Sequence, residues 1–186
     1  MTIRRLPEDV SSRIAAGEVI ERPASVVKEL VENALDAGAD RVAVSLVQGG
    51  KTSLVVEDDG GGIPFDELPL ALERYATSKI GALEDLDRIR SLGFRGEALA
   101  SIATVSRLEI RSRCGGCDLG GWIRCEGGTI LSCQPLPCAP GTRVQVEDLF
   151  FNLPARRKFL RAAAAETRRV AQLVQELALI HPGRTF

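Results

Sequence analysis

The stretch that decides the fold runs from Pro23 to Ala39, PASVVKELVENALDAGA. A proline at its first position and Gly38 just past its last turn predict a helix over residues 23–37. Wound at about 100° per residue, Val26, Val27, Leu30, Val31, Ala34 and Leu35 gather into one apolar arc. Glu29 and Asn33 fall on the lip of that arc, one turn apart, so both side chains reach a single site. Glu32 and Asp36 are expected on the solvent side. A carboxylate and an amide set beside a buried face cost stability unless they find partners. A bound ion with its water would satisfy both. Periodicity by itself favours a simpler arrangement, a partly solvated helix rim.

Outward from this helix, residues 41–47 alternate Val42, Val44 and Leu46 with polar positions, the pattern of a strand. Gln48-Gly49-Gly50-Lys51 turns the chain into a second strand over 52–57. A glycine loop, Asp58 to Gly62, follows, then an expected helix from about Pro64 to Tyr75. Residues 76–95 are polar and irregular and read as a loop. Gly96 to Thr104 looks helical. Strands recur near 106–113, 121–125, 128–134 and 142–147, and helices near 154–161 and 165–180 close the chain. The expected architecture is α+β, a two-layer sandwich with helices on one face of a mixed, mostly antiparallel sheet.

The bulk composition narrows the function classes. The 186 residues are 45% hydrophobic and 26% charged, which argues for a folded domain rather than a disordered chain. The net charge of −1 leaves no global field drawing the chain to DNA or a membrane. The N-terminus lacks the apolar core of a signal peptide, and no apolar run is long enough to span a bilayer, so a cytoplasmic location is expected. Of the five cysteines, Cys114 and Cys117 form a lone C-x-x-C without a second pair at zinc spacing. Reduced thiols on neighbouring strands and a hairpin turn are expected there. A single histidine, His181 near a helix end, argues against Ser-His or Cys-His chemistry and leaves general-base work to a carboxylate. The chain stops directly after a helix, and a fragment of something longer is expected.

Two further segments change the weight of the helix rim. Asp58-Asp59-Gly60-Gly61-Gly62-Ile63 sets an acidic pair at a strand end before three glycines, which let backbone approach a ligand closely. Asp58 there can accept a hydrogen bond from an exocyclic amine, which separates adenine from guanine; a plain tight turn would use the same glycines. Ser91 to Leu99, SLGFRGEAL, is a glycine-containing loop opening a helix, where free N–H groups beside Arg95 suit phosphate. A Walker-type G-x-x-x-x-G-K-[ST] is absent from the sequence, and so is a dinucleotide-binding G-x-G-x-x-G.

With these residues in place, Ala15 to Ala39, Ala76-Thr-Ser-Lys79, Gly93-Phe-Arg-Gly-Glu-Ala-Leu-Ala-Ser-Ile102 and Phe150-Phe-Asn-Leu-Pro-Ala-Arg-Arg-Lys-Phe-Leu160 closely resemble the MutL family of DNA mismatch-repair ATPases. The first and last motifs separate that family from gyrases, Hsp90 chaperones and histidine kinases, which share only the ATP-site pattern. The resemblance covers essentially the whole chain, 1–186, and implies the Bergerat ATP-binding fold. It implies ATP and Mg²⁺ as ligands, with Glu29 as general base for the attacking water and Asn33 as a Mg²⁺ ligand. Asp58 would meet the adenine amine, with Gly62 near the base and Thr142 supporting it through water. Thr77, Ser78 and Lys79 would sit in a lid, and amides of Gly93, Phe94, Arg95, Gly96, Glu97, Ala98 and Leu99 would wrap the phosphates. It further implies self-dimerisation on ATP binding and a MutS-type mismatch-recognition partner. A lysine-bearing domain and a C-terminal dimerisation domain would follow this segment.

Asp59 departs from the family's usual Asn and brings an extra charge to the loop; Gly61 stands where a larger residue is common. Without the lysine of the following domain, a nucleotide-gated scaffold that binds ATP without turnover is the alternative reading. Arg156, Arg157, Lys158 and Arg161, then Arg168 and Arg169, offer contacts for DNA phosphate. Their mixed helical angles suit a solvated face at least as well.

Overall fold

The helix read from residues 23–37 is present in the computed structural model as Pro23–Asp36, and Gly38 (φ 77°) turns the chain out of it. The structure describes residues 4–79, 93 and 96–186. Among them the order is α1 (Glu8–Val19), α2 (Pro23–Asp36), β1 (Val42–Val47), β2 (Ser53–Asp58) and α3 (Ala98–Thr104). Then come β3 (Arg107–Arg113), β4 (Gly120–Glu126), β5 (Thr129–Leu136), β6 (Gly141–Glu147), α4 (Pro154–Phe159) and α5 (Ala163–Ile180).

One sheet of six strands runs β1-β2-β6-β3-β4-β5. Every pairing within it is antiparallel. The mixed character expected from sequence is confined to one isolated parallel bridge, Arg41 to Thr185. Alternation does the sorting. Leu54 and Val56 of β2, Leu108 and Ile110 of β3, Ile123 of β4 and Val144 and Val146 of β6 point into the core. Val26, Val27, Leu30, Val31 and Ala34 of α2 complete it, with Ile102 of α3 and Val170 of α5. The polar residues between them pair on the other face, Arg111 with Glu109 and Arg143 with Gln145. This is the two-layer arrangement expected, with the apolar arc of α2 as its centre.

Two assignments need correction. The helix expected over 64–75 is instead a pair of 3₁₀ turns, Phe65–Glu67 and Leu70–Leu72. Pro69 has no N–H to return to the Phe65 carbonyl, so the chain closes with Leu68 N–H to Phe65 (3.3 Å) and Leu72 N–H to Pro69 (3.1 Å). Helix α1 escaped the periodicity reading because Ser11, Ser12 and Gly17 dilute its apolar pattern. It is held from outside: Ala16 is fully buried, and Arg156 donates to the carbonyls of Gly17 and Ile20. That contact, with Arg157 paired to Asp148 at 3.5 Å, gives two of the basic residues considered for DNA a place within the fold. The expected loop over 76–95 lies mostly outside the described residues.

Leu54, fully buried at the middle of the β1-β2-β6 ladder, tests this core. Leu54→Ala should lower unfolding stability by about 2–5 kcal/mol in urea denaturation. A loss under about 1 kcal/mol would contradict the placement of β2 against α2.

Candidate functional site

Burial of its apolar arc fixes the rotation of α2 and therefore the direction of its polar edge. Glu29 and Asn33 are both half-buried on that edge. Asn33 Oδ1 accepts a hydrogen bond from Lys79 Nζ at 3.0 Å. The same ammonium lies 2.5 Å from Asp36, whose side chain is only 11% exposed. Asp36 therefore does not face solvent as expected. It stands three residues past Asn33 and seven past Glu29, the helical repeat that would have placed it on their face. Glu32 also turns out largely covered and pairs with Lys28 at 3.0 Å.

Asp36 accepts a second hydrogen bond, from the Gly93 N–H at 3.2 Å. Gly93 and Lys79 thus meet at one carboxylate beside Asn33. A few residues away, Tyr75 N–H donates to the Gly96 carbonyl at 2.9 Å, and a Cβ on Gly96 would lie 2.5 Å from the Ala76 carbonyl oxygen. Lys79 N–H reaches Thr77 Oγ1 at 3.2 Å, and Ser78 lies between those two residues. Glu97 precedes α3, and Ala98 and Leu99 form its first turn. Lys79, from the expected lid segment, and Gly93, from the segment expected to wrap phosphate, are consequently brought together against α2. Phe94 and Arg95 lie outside the described residues.

The glycine loop forms the other wall. Asp58 ends β2 opposite Thr142 of β6, and its carboxylate accepts N–H bonds from Gly60 (2.9 Å) and Thr142. Burial pushes its carboxyl above the ordinary value; those two N–H groups pull it back, and Asp59 and Glu57 push it up further. Gly62 has φ 72°, and a Cβ there would run into the Arg113 carbonyl, so this position admits only glycine. Next to it, Ile63 N–H donates to Ser112 Oγ at 2.7 Å, and that hydroxyl lies 2.8 Å from Thr142 Oγ1. Ser112 was not singled out from sequence. Its signal was weak, a lone polar residue at an inward position of β3.

Asp59 turns away from this wall. Its Oδ1 accepts from the N–H groups of Asp40 and Arg41, both at 2.8 Å, and these bonds hold its carboxyl below the ordinary value. The departure from the family pattern therefore anchors the entry to β1. The cysteine expectation is corrected as well: Cys114 and Cys117 are joined by a disulfide, while Cys125, Cys133 and Cys138 are free. Among the described residues, no group of three or more His, Cys, Asp or Glu side chains is arranged to hold a metal. No described helix is long and apolar enough to cross a membrane.

The geometry is that of a site with a half-buried carboxylate, Asp58, at one end and an oxygen-lined helix edge, already holding the Lys79 ammonium, at the other. Residues 20–118 match the family described as histidine kinase-, DNA gyrase B-, and HSP90-like ATPases. Over 182 residues the chain is 55% identical to the DNA mismatch repair protein MutL of Xanthomonas campestris, covering 98% of this chain and 29% of that protein. To the MutL of Chlorobaculum tepidum it is 49% identical over 97% of this chain. The Aquifex aeolicus MutL ATPase domain complexed with ADP superposes with a TM-score of 0.70 at 40% identity, covering 89% of this chain and 58% of that one. The chain belongs to the histidine kinase-, DNA gyrase B- and HSP90-like ATPase family. Within that family it falls in the MutL branch, and it spans about 29% of the length of the MutL relatives cited.

The raised Asp58 carboxyl has a consequence for stability. An acid whose folded value lies above its unfolded one binds protons more readily when folded, so its ionisation costs stability at pH above the folded value. Asp58→Asn removes that cost. The variant should gain stability over the parent at neutral pH, and the gain should vanish as pH falls below the unfolded value of 3.8. Thermal denaturation of both proteins across pH 3–8 checks this; a gain that grows towards acid would contradict the burial assigned to Asp58.

Proposed function

We propose that this chain is the ATP-binding and ATP-hydrolysing segment of a MutL-type mismatch-repair protein, acting with Mg²⁺. The observation that carries this reading is the convergence on the edge of α2. Asn33 Oδ1 and the Asp36 carboxylate already hold the Lys79 ammonium, so the donor set suits a cation. Hard oxygen donors of this kind, one or two from protein with the rest from phosphate and water, match what Mg²⁺ takes. Asn33 is the residue that would hold the ion, and the ion's chemistry there is to neutralise charge developing on the phosphates.

The chain's own residues supply the rest. Asp58 accepts from the adenine amine, which a guanine cannot offer at that position. Gly62 leaves room for the base, and Thr142, tied through Ser112 to the same wall, supports it through water. Glu29, one helical turn before Asn33, takes the proton from the attacking water. Lys79 exchanges its bonds to Asn33 and Asp36 for phosphate oxygens, and the amides of Gly93 to Leu99 follow it over the nucleotide. Ordering of these segments by ATP creates the surface for self-dimerisation and for signalling to a MutS-type partner. On this reading the protein acts in the bacterial cytoplasm.

Glu29→Ala should cut phosphate release by about 10²–10⁴-fold while leaving ATP affinity nearly unchanged. Turnover equal to the parent's would rule Glu29 out as the base. Asn33→Ala should abolish the Mg²⁺ dependence of nucleotide binding, measured by calorimetry with and without the metal. Unchanged Mg²⁺-dependent affinity would reduce Asn33 to a rim residue hydrogen-bonded by Lys79.

A further inference from the structure

Outside the α2 edge, the feature with chemistry still unassigned is the tip of the β3–β4 hairpin. Cys114-Gly115-Gly116-Cys117 closes there with a hydrogen bond from Cys117 N–H to the Cys114 carbonyl (3.0 Å), Cα atoms 5.3 Å apart and sulfurs joined. Both cysteines are half-exposed, and a Cβ on either intervening glycine would meet nothing within 4 Å, so the tip is open to a small reagent. Arg113 Nη1 donates to the Cys117 carbonyl at 2.9 Å and brings positive charge to that end of the turn. A C-x-x-C pair beside an arginine favours the thiolate, the species that exchanges. Burial pushes the Cys125 and Cys133 thiols up, which disfavours the thiolate at those two positions.

The base of the same hairpin touches the proposed nucleotide wall. The Arg113 carbonyl and the Cys114 N–H pack against the Cα of Gly62, and Ser112 Oγ takes the Ile63 N–H and lies against Thr142 Oγ1. The backbone at residues 112–114, where the hairpin tip begins, therefore bears directly on the glycine loop.

We propose that Cys114 and Cys117 are a redox-active pair that exchanges with a low-molecular-weight thiol and its disulfide, and that the closed form stiffens the Gly62–Ile63 wall. In the reducing direction a small thiolate attacks one protein sulfur. The Cys114–Cys117 bond breaks, a mixed disulfide forms, and the freed cysteine thiolate takes a proton. A second small thiolate attacks the outer sulfur of the mixed disulfide, releasing the second cysteine and the small disulfide. Two electrons pass from the two small thiols to the protein, and oxidation is the reverse. The exchange stands apart from the proposed function; only its effect on ATP affinity rests on that reading.

The test is equilibration of the whole chain in glutathione buffers from fully reduced to fully oxidised, followed by alkylation and peptide mass analysis. The expected result is reversible, joint loss of alkylation at Cys114 and Cys117, with Cys125, Cys133 and Cys138 alkylated after unfolding throughout. Slower hydrogen exchange at the Ile63 amide and about fivefold tighter binding of a fluorescent ATP analogue should accompany oxidation, a coupling of ordinary size. Both differences should disappear in a Cys114→Ser, Cys117→Ser variant that still binds the analogue. A Cys138 cross-link in place of the Cys114–Cys117 bond, or no disulfide at any ratio, overturns the exchange. A disulfide that forms while Ile63 exchange stays constant overturns the coupling to the wall. Slowed Ile63 exchange with no nucleotide bound in either state upholds the redox pair and its coupling, and counts against the proposed function instead.

Discussion

The structure depends on the burial of one face of α2. Val26, Val27, Leu30, Val31 and Ala34 lose nearly all their solvent exposure against the sheet, and a helix so packed cannot rotate without exposing them. That constraint fixes where Glu29, Asn33 and Asp36 point. A polar edge held by a core in this way is preorganised: the oxygens of Asn33 and Asp36 meet at one ammonium before any ligand arrives, so less ordering is left for binding to supply. The Lys79 ammonium between Asn33 and Asp36 shows the consequence, a cation drawn to oxygens the core has already positioned.

The opposite wall is built by a strand pairing rather than a helix. Asp58 and Thr142 face each other because β2 and β6 pair in that register, though 84 residues separate β2's last position from its partner. Ser112 on β3 joins the same group of bonds through Thr142 and the Gly141 carbonyl. The proposed adenine contact and the proposed cation site thus rest on two elements with independent support, the β2–β6 pairing and helix α2.

Most of the fold was legible in the sequence because its signals are local. Alternation marked the strands, and α2 announced itself with a proline, a glycine and a clean apolar arc. Helix α1 was not legible, since Gly17 and two serines blur its period and its support comes from Arg156, far along the chain. The 64–75 segment misled because its apolar content suited a helix while Pro69 removed the bond that a helix needs. In the site, Glu29 and Asn33 were readable as helix neighbours. Asp36 was expected towards solvent although its i+3 and i+7 spacing from Asn33 and Glu29 marks the same face; its partners Lys79 and Gly93, distant in sequence, were not legible. Ser112 and the true orientation of Asp59 depend on strand register and on a turn, which no local pattern reports.

The most direct measurement is a crystal structure of the chain with Mg²⁺ and a non-hydrolysable ATP analogue. The expected map has the metal on Asn33 Oδ1, the adenine amine on the Asp58 carboxylate, and Lys79 withdrawn from Asn33 to a phosphate oxygen. A nucleotide bound away from α2, with the Lys79 to Asn33 and Asp36 contacts intact, would contradict the claim that this helix edge is the catalytic centre.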